Sequence, residues 1–449
     1  MKSEKTMKKI ISILALSISC GCATAQTTYS LSQLKQLAEE NNYTLRSARS
    51  AIDQAKQTKS EALTKYFPTI AASGAAVTFD KHLIEFDLGL PPALQGLLPP
   101  DVNLPSNISL FKRGFVGSVY AVQPVFMGGM IINANKLAGV AKEASEINME
   151  ANADKVEMTT EQYYWNAVTL KEKQKTLGTI HDMLVQLEKD VDNMVRVGMV
   201  NRNDLLLVQL RKGEIESAQI EIDNALSTVC QLLAQHVGKP DEVIDVALPA
   251  ELSTLPVATV PALPVELRQD HLSALALTPE YRLLEKNVES HRLQHKMSIG
   301  SNLPKVGVGA SWIYNNLADE SQRTGALFAT ASIPISGWWG GSHAIKKQKL
   351  ALEDAKDQLQ DNSQKLIIRM NNAWQAVEVS HKKLAIANEA IRQADENLRL
   401  NNDYYRVGQT KMIDLLKAQE HYQSARDRYT DAYADFQTKQ LEYRKATGQ

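Results

Sequence analysis

The chain has 449 residues, 50 basic against 51 acidic, and 44% of them are hydrophobic, enough to bury a sizeable core. Its formal charge of −1 becomes −4 once residues 1–25 are set aside with Lys2, Lys5, Lys8, Lys9 and Glu4, which excludes a dedicated polyanion partner such as nucleic acid. Of three cysteines only Cys230 lies far from the N-terminus, which excludes a disulfide framework and leaves packing or assembly to stabilise the protein.

Lys8-Lys9, the apolar run Ile10 to Ile18 and Ala23-Thr24-Ala25 read as an export signal over residues 1–25, with Gln26 as the mature end. The run is too short for a membrane helix. Cys20 and Cys22 raise a lipoprotein signal as the alternative, against which Ser17 and Ser19 stand where a large aliphatic residue is wanted. No later stretch is apolar for the length of a spanning helix, so the exported chain is periplasmic, secreted, or built into the outer membrane as β-strands.

Two rounds of the same element order follow. Repeat 1 covers 26–238: helix 29–67 with a break at Asn41-Asn42, strands 69–79 and 114–126 on either side of a loop with Pro91-Pro92, Pro99-Pro100 and Pro105, a long helix 130–195, and a returning helix 204–237 closed by Gly238 and Pro240. A Pro-rich linker, 239–264, contains Pro240, Pro249, Pro256, Pro261 and Pro264. Repeat 2 covers 265–449: helix 265–302 with a break at Thr278-Pro279, strands 305–315 and 324–335, long helix 340–405 and returning helix 414–447. The long helices are each roughly 100 Å at about 1.5 Å per residue, and two half-length helices end to end match one of them.

The duplication is sharpest at the turns. Arg196-Val197-Gly198 precedes Asp204-Leu205-Leu206 and Gln209, and Arg406-Val407-Gly408 precedes Asp414-Leu415-Leu416 and Gln419, at an offset of 210. Each reads as a helix corner with Gly in the left-handed conformation. The Asp reads as a helix N-cap near the positive dipole end.

In the last helix Leu415, Ala418, Tyr422, Ala425, Tyr429, Ala432, Phe436 and Tyr443 form a knobs-into-holes seam, interrupted by Lys439. Leu366, Met370, Ala373, Val377, Ser380, Leu384, Ala387, Ile391, Ala394 and Leu398 do the same in the long helix before it. The tyrosine series reads as packing and not as a ligand stack. The seams are narrow, so Lys382-Lys383, Arg392 and Glu396 leave a wet side. In 305–315, Val306, Val308, Ala310, Trp312 and Tyr314 alternate with Gly307, Gly309, Ser311 and Ile313. Such strands either cross an outer membrane or form a soluble hairpin on helices; Trp338-Trp339 suit an interfacial aromatic girdle. Four strands cannot close a barrel, so spanning strands require oligomerisation.

No catalytic residues, metal site or cofactor are read. The nine His are scattered without a zinc, nucleophile-elbow or phosphate-loop motif, and Met194, Met199 and Met412 read as packing.

The export signal, the twofold helix–hairpin–helix order, Pro-Val-Phe-Met-Gly-Gly at 124–129, Pro-Ile-Ser-Gly-Trp-Trp-Gly-Gly at 334–341 and the paired turns together resemble the TolC-like outer membrane efflux protein family. The resemblance implies an α+β, mostly helical fold. It implies a homotrimer with a 12-stranded outer-membrane β-barrel, four strands per chain, continuing into a periplasmic α-helical barrel. It implies a passive exit duct in outer membrane lipid, served by a periplasmic adaptor and an inner-membrane pump; a type I secretion duct of the same fold and a structural coiled-coil envelope or adaptor protein are the alternatives. By position, Arg196, Val197, Gly198, Met199, Val407, Gly408 and Gln409 fall at the adaptor-contacting tip, and Asp204, Tyr405 and Asp414 at the periplasmic aperture. Thr410 stands where a gate arginine is expected and Lys417 where a second acid is expected, leaving Arg406 or Lys411 as the candidate cation.

Overall fold

The computed structural model describes residues 27–81, 84–87, 107–110, 113–252, 260–316, 321–335 and 337–449. The export signal at 1–25, the loop prolines at 91, 92, 99, 100 and 105, Pro256 and Ser336 lie outside them.

In chain order the elements are β1 (Thr27–Tyr29), α1 (Leu31–Asn41), α2 (Tyr43–Thr64), β2 (Thr69–Thr78), β3 (Ile84–Asp87), β4 (Asn107–Leu110), β5 (Arg113–Met127), α3 (Met130–Arg196) and α4 (Arg202–His236). They continue with β6 (Ile244–Val246), α5 (His271–Ala274), α6 (Pro279–Gly300), β7 (Lys305–Asn315), β8 (Gln322–Ser332), α7 (Gly337–Arg406) and α8 (Met412–Ala446). The fold is α+β and mostly helical, in two compact units.

One unit comprises Met1–Ala51, Glu146–Leu283 and Gln360–Gln449. Its α3, α4, α7 and α8 pack around two apolar clusters. One cluster gathers Leu34, Trp165, Leu233, Trp374, Leu384, Tyr429 and Phe436. The other gathers Leu177, Ile180, Leu184, Val208, Ile215, Leu398, Met412 and Leu415. The predicted seam residues of α7 and α8 are buried or partly buried, most of them in these clusters, and Tyr429 stacks on Tyr433 at 6.4 Å, so the tyrosines are packing. Rings from three helices interlock edge-on, Trp165 against Tyr433 and Trp374 against Tyr443.

Helix ends follow local chemistry. Ser30 and Gln33 form a capping box that starts α1. Asn42 then serves two helices: its N–H closes α1 on the Ala38 carbonyl, and its side chain accepts from Thr44 N at 2.8 Å. The predicted helix 29–67 is therefore two helices, preceded by a short strand, β1, that pairs in parallel with β6 inside the linker. The predicted helix 265–302 is helical throughout only from Pro279. Residues 265–277 are broken into 3-10 turns Val265–Leu267 and Leu275–Leu277 around the single turn α5, and Thr278 is extended at ψ 134 as a residue before proline prefers.

The other unit comprises Ile52–Ser145 and Leu284–Leu359. Its centre is a four-stranded antiparallel sheet in the order β2-β5-β7-β8, with β2 and β8 as edges. The register slips between Pro124 and Phe126, where proline offers no N–H to the ladder. Gly128, at φ 61, lies so close to Gly300 that a Cβ on either would meet the other's carbonyl. A separate antiparallel pair, β3 with β4, extends from the loop in which the sequence predicted no strand.

Candidate functional site

Both turns end their helices in the same way. After α3, Gly198 sits at φ 76, its N–H donates to the Val195 carbonyl at 3.0 Å, and Met199 N donates to the Met194 carbonyl at 2.9 Å. After α7, Gly408 sits at φ 73, with Gly408 N on Tyr405 O at 3.0 Å and Gln409 N on Tyr404 O at 2.8 Å. This is the Schellman pattern, which satisfies carbonyls that the helix end orphans. A Cβ at either glycine would meet nothing within 4 Å, so the positive φ alone demands glycine there. The turns present apolar side chains to solvent: Val197 is 70% exposed, Met199 74% and Val407 66%. An exposed apolar patch at a helix tip is suited to a protein partner.

Asp204 and Asp414 occupy the third position of α4 and α8, because those helices begin two residues earlier than predicted, after Asn201 and Lys411. Neither Asp is the cap residue; each sits in the first turn, where its charge complements the helix dipole. Tyr405 lies against the second apolar cluster, and its buried hydroxyl has no hydrogen-bond partner. Burial, and secondarily the charge of Asp204, push its phenol pKa up. The Thr410 hydroxyl reaches the Asp414 carboxylate at a long 3.5 Å. Arg196 pairs with Asp192 at 2.7 Å, a partner the sequence reading did not name.

The structure thus brings Asp204 near Tyr405, and Thr410 near Asp414. It does not bring Arg406, Lys411 or Lys417 to a carboxylate: among the described residues none of the three has an ion pair within the chain. Sequence reasoning also missed Asp427 on α8, whose pKa rises to about 6 through burial, with Asp431 adding to the shift and Lys173 and Arg426 opposing it. No signal in its neighbourhood distinguishes it from a solvated heptad position, because its burial depends on α3.

The sheet has two unlike faces. Paired across the strands, Ile70, Val119, Ala121, Val308, Ala310, Trp312, Leu327 and Ala329 share one face, where Ile70 is 71% and Leu327 88% exposed. The other mixes Ser73, Ser118, Gly307, Gly309, Ser311, Thr324 and Thr330 with Val116, Tyr120, Val122, Ile313 and Phe328, and the Ser73 and Ser118 hydroxyls lie 2.8 Å apart. Trp338 and Trp339 lie in the first turn of α7, where Trp338 Nε1 donates to the Asn302 carbonyl at 2.9 Å and Trp339 is exposed. Among the described residues no helix is long and apolar enough to cross a membrane, and no group of three metal-ligating side chains forms a cluster.

Residues 273–449 match the family described as Outer membrane efflux protein. No curated protein matches the chain. Among solved structures, the chain is similar to the CmeC outer membrane channel of Campylobacter jejuni at 14% identity, with 93% of this chain and 85% of that one covered and a TM-score of 0.75. It is similar to the outer membrane protein VceC of Vibrio cholerae at 14% identity, covering 93% and 96%, with a TM-score of 0.72. It is also similar to the open state of the MtrE outer membrane channel of Neisseria gonorrhoeae at 17% identity, covering 93% and 88%, with a TM-score of 0.71. The likeness establishes the fold that the chain shares with these outer membrane channels.

Proposed function

We propose that this chain, whose residues 273–449 match the efflux family and whose fold is that of outer membrane channels, is the passive outer-membrane exit duct of a tripartite efflux pump. The observation that carries the reading is the four-stranded sheet, open at both edges, with Ile70, Trp312 and Leu327 exposed on one face and serines and threonines gathered on the other beside Tyr120, Val122 and Phe328. Unpaired edges are not tolerated in hydrocarbon. Three copies joining β2 of one to β8 of the next close a 12-stranded barrel with the face of Ile70 and Leu327 toward lipid and the face that holds the serines and threonines toward a wet lumen. Trp338 and Trp339 then belong to the membrane interface.

On this reading the turns form the periplasmic mouth. Val197, Gly198, Met199, Val407, Gly408 and Gln409, beside Arg196, dock a periplasmic adaptor, and Asp204, Tyr405, Arg406, Lys411 and Asp414 surround the aperture. Arg406 and Lys411, unpaired within the chain among the described residues, are available to carboxylates of neighbouring copies. The energy comes from an inner-membrane pump, so the duct needs no cofactor. The mature protein in detergent should be trimeric by light scattering and should give long-lived channels in planar bilayers. A consistently monomeric, non-conducting preparation overturns the reading.

A further inference from the structure

The joint between α1 and α2 is closed by a histidine from another helix. His236, the last residue of α4, is partly buried against α3. Its Nε2 lies 3.2 Å from the Val156 carbonyl and 3.1 Å from the Thr160 hydroxyl, and its Nδ1 lies 3.4 Å from the Asn42 amide nitrogen. The Thr160 hydroxyl proton is committed to the Val156 carbonyl at 2.7 Å, and a carbonyl only accepts, so Nε2 carries the ring proton and Nδ1 is the acceptor. Asn42 is buried and cannot turn over freely. Its Oδ1 accepts from Thr44 N and its Nδ2 donates to the His236 carbonyl, both at 2.8 Å. The ring is thus held neutral, and burial pushes its pKa below the usual 6.5. A proton added at Nδ1 sets donor against donor. Turning Asn42 to present Oδ1 relieves that clash but loses the bonds to Thr44 and to the His236 carbonyl.

We infer that His236 is an acid-sensitive latch: neutral, it ties the α1–α2 joint and the end of α4 to α3, and protonated it releases Asn42 and loosens that joint. Tyr163 packs edge-on against the ring at 5.6 Å. The charges on the surrounding elements are engaged elsewhere or face solvent. Glu39 and Glu40 at the end of α1 are exposed, and Arg46 of α2 lies over the Tyr43 ring. Glu157 and Glu161 of α3 are held by Lys35, with Lys445 also on Glu157, and Lys239 after α4 is held by Glu242. Among the described residues His181 is the histidine with carboxylate partners, and no carboxylate pairs with His236 to favour its proton. The second repeat supplies the contrast. Its joint has the same close backbone approach, since a Cβ on Gly238 would meet Asn41 and one on Gly448 would meet Leu277. There Thr278 stands in place of Asn42 and Ala446 in place of His236, and Thr278 Oγ1 donates to the Leu275 carbonyl at 2.8 Å. His271 nearby faces Asn371 Oδ1 at 3.0 Å and the Tyr443 hydroxyl at 3.2 Å, partners that accept a second proton without a clash. Acid therefore acts on one joint of the two. The latch stabilises fully above the ordinary histidine pKa, and its contribution is lost as pH falls below 6.5, where the unfolded chain takes up a proton that the folded ring resists.

The test is hydrogen exchange of the full-length protein in detergent, read by mass spectrometry at about pH 7.5 and about pH 5 and corrected for the intrinsic exchange rate. The amides of Thr44 and Arg46, which bond Asn42, and those of 233–239 should lose protection several-fold in acid, while those of 278–282 and 446–449 should not. His236→Gln keeps a donor for the Val156 carbonyl and does not titrate, so its protection should be the same at both pH values. Asn42→Asp offers a carboxylate to the imidazolium and should reverse the response, with the joint tighter in acid. Unchanged wild-type protection, equal loosening of both joints, or acid loosening that survives in His236→Gln each overturns the latch. Where His236→Gln does not fold, Asn42→Asp decides: a response like that of the wild type overturns the proposal, and a reversed one sustains it.

Discussion

Helices α4 and α8 are each 35 residues long and end in the same glycine turn, at Gly238 and Gly448, yet thirteen residues of α8 are buried and only four of α4. Leu416 on α8 is 7% exposed, and Leu206, its counterpart on α4, 52%. The difference teaches that a helix's limits are local properties, set by caps and prolines, whereas its burial is a property of its neighbours. α8 finds α3 and α7 within the chain; the open face of α4 is apolar enough to need cover from elsewhere.

The largest effects should fall on what the two helix pairs share. Gly198→Pro or Gly408→Pro should abolish transport while leaving membrane insertion intact, because proline holds φ near −65° and cannot take the left-handed turn; normal drug resistance in either mutant would show that the turn is not a docking element. Next come the apolar positions. Leu184→Ala, fully buried in the second cluster, should cost about 2–5 kcal/mol in chemical denaturation. Leu210→Ala, on the open face of α4, should stay within about 0.5 kcal/mol in unassembled chain, and a cost equal to that of Leu184 would erase the contrast between covered and open faces.

Asp204→Ala with Asp414→Ala should raise resting conductance several-fold without loss of assembly; identical single-channel records would remove the gate assignment. Asp427→Asn tests the covered seam. The folded-state pKa of Asp427 lies above its usual 3.8, at about 6, so its ionisation costs stability as pH rises through that window and costs nothing below it. The substitution should raise stability by on the order of 1–2 kcal/mol above about pH 6, allowing for screening, and change little near pH 4. A Tm that responds equally at both pH values would refute the burial argument. Arg196→Ala removes an exposed pair with Asp192 and should shift stability by no more than about 1 kcal/mol, measurable as a small change in Tm.

Much of the fold was legible because it is written in local terms. The break at Asn42, the extended Thr278 before Pro279, the seams of α7 and α8 and the positive φ at Gly198 and Gly408 each follow from a residue and its near neighbours. The β1–β6 pair was not legible, since three-residue strands carry no periodicity and are stabilised by a partner 217 residues away, with Lys171 bonding both Asp245 and the Val246 carbonyl. The region around the turns was legible in position but not in bonding. The reading named Asp204, Tyr405 and Asp414, while the pairing of Arg196 with Asp192 and the unpartnered Tyr405 hydroxyl depend on side-chain packing.

By itself the sequence determined the element order, the paired turns, the alternation of the strands and the absence of a disulfide framework, because caps, prolines, heptads and period-two patterns act over a few residues. Only the tertiary structure decided which equivalent faces are covered. Thr430 and Ile220 occupy the same place on matching helices, and nothing in their own neighbourhoods says that one is buried and the other open. That depends on where α3 lies, and burial is a sum over neighbours in space, which a one-dimensional pattern does not contain.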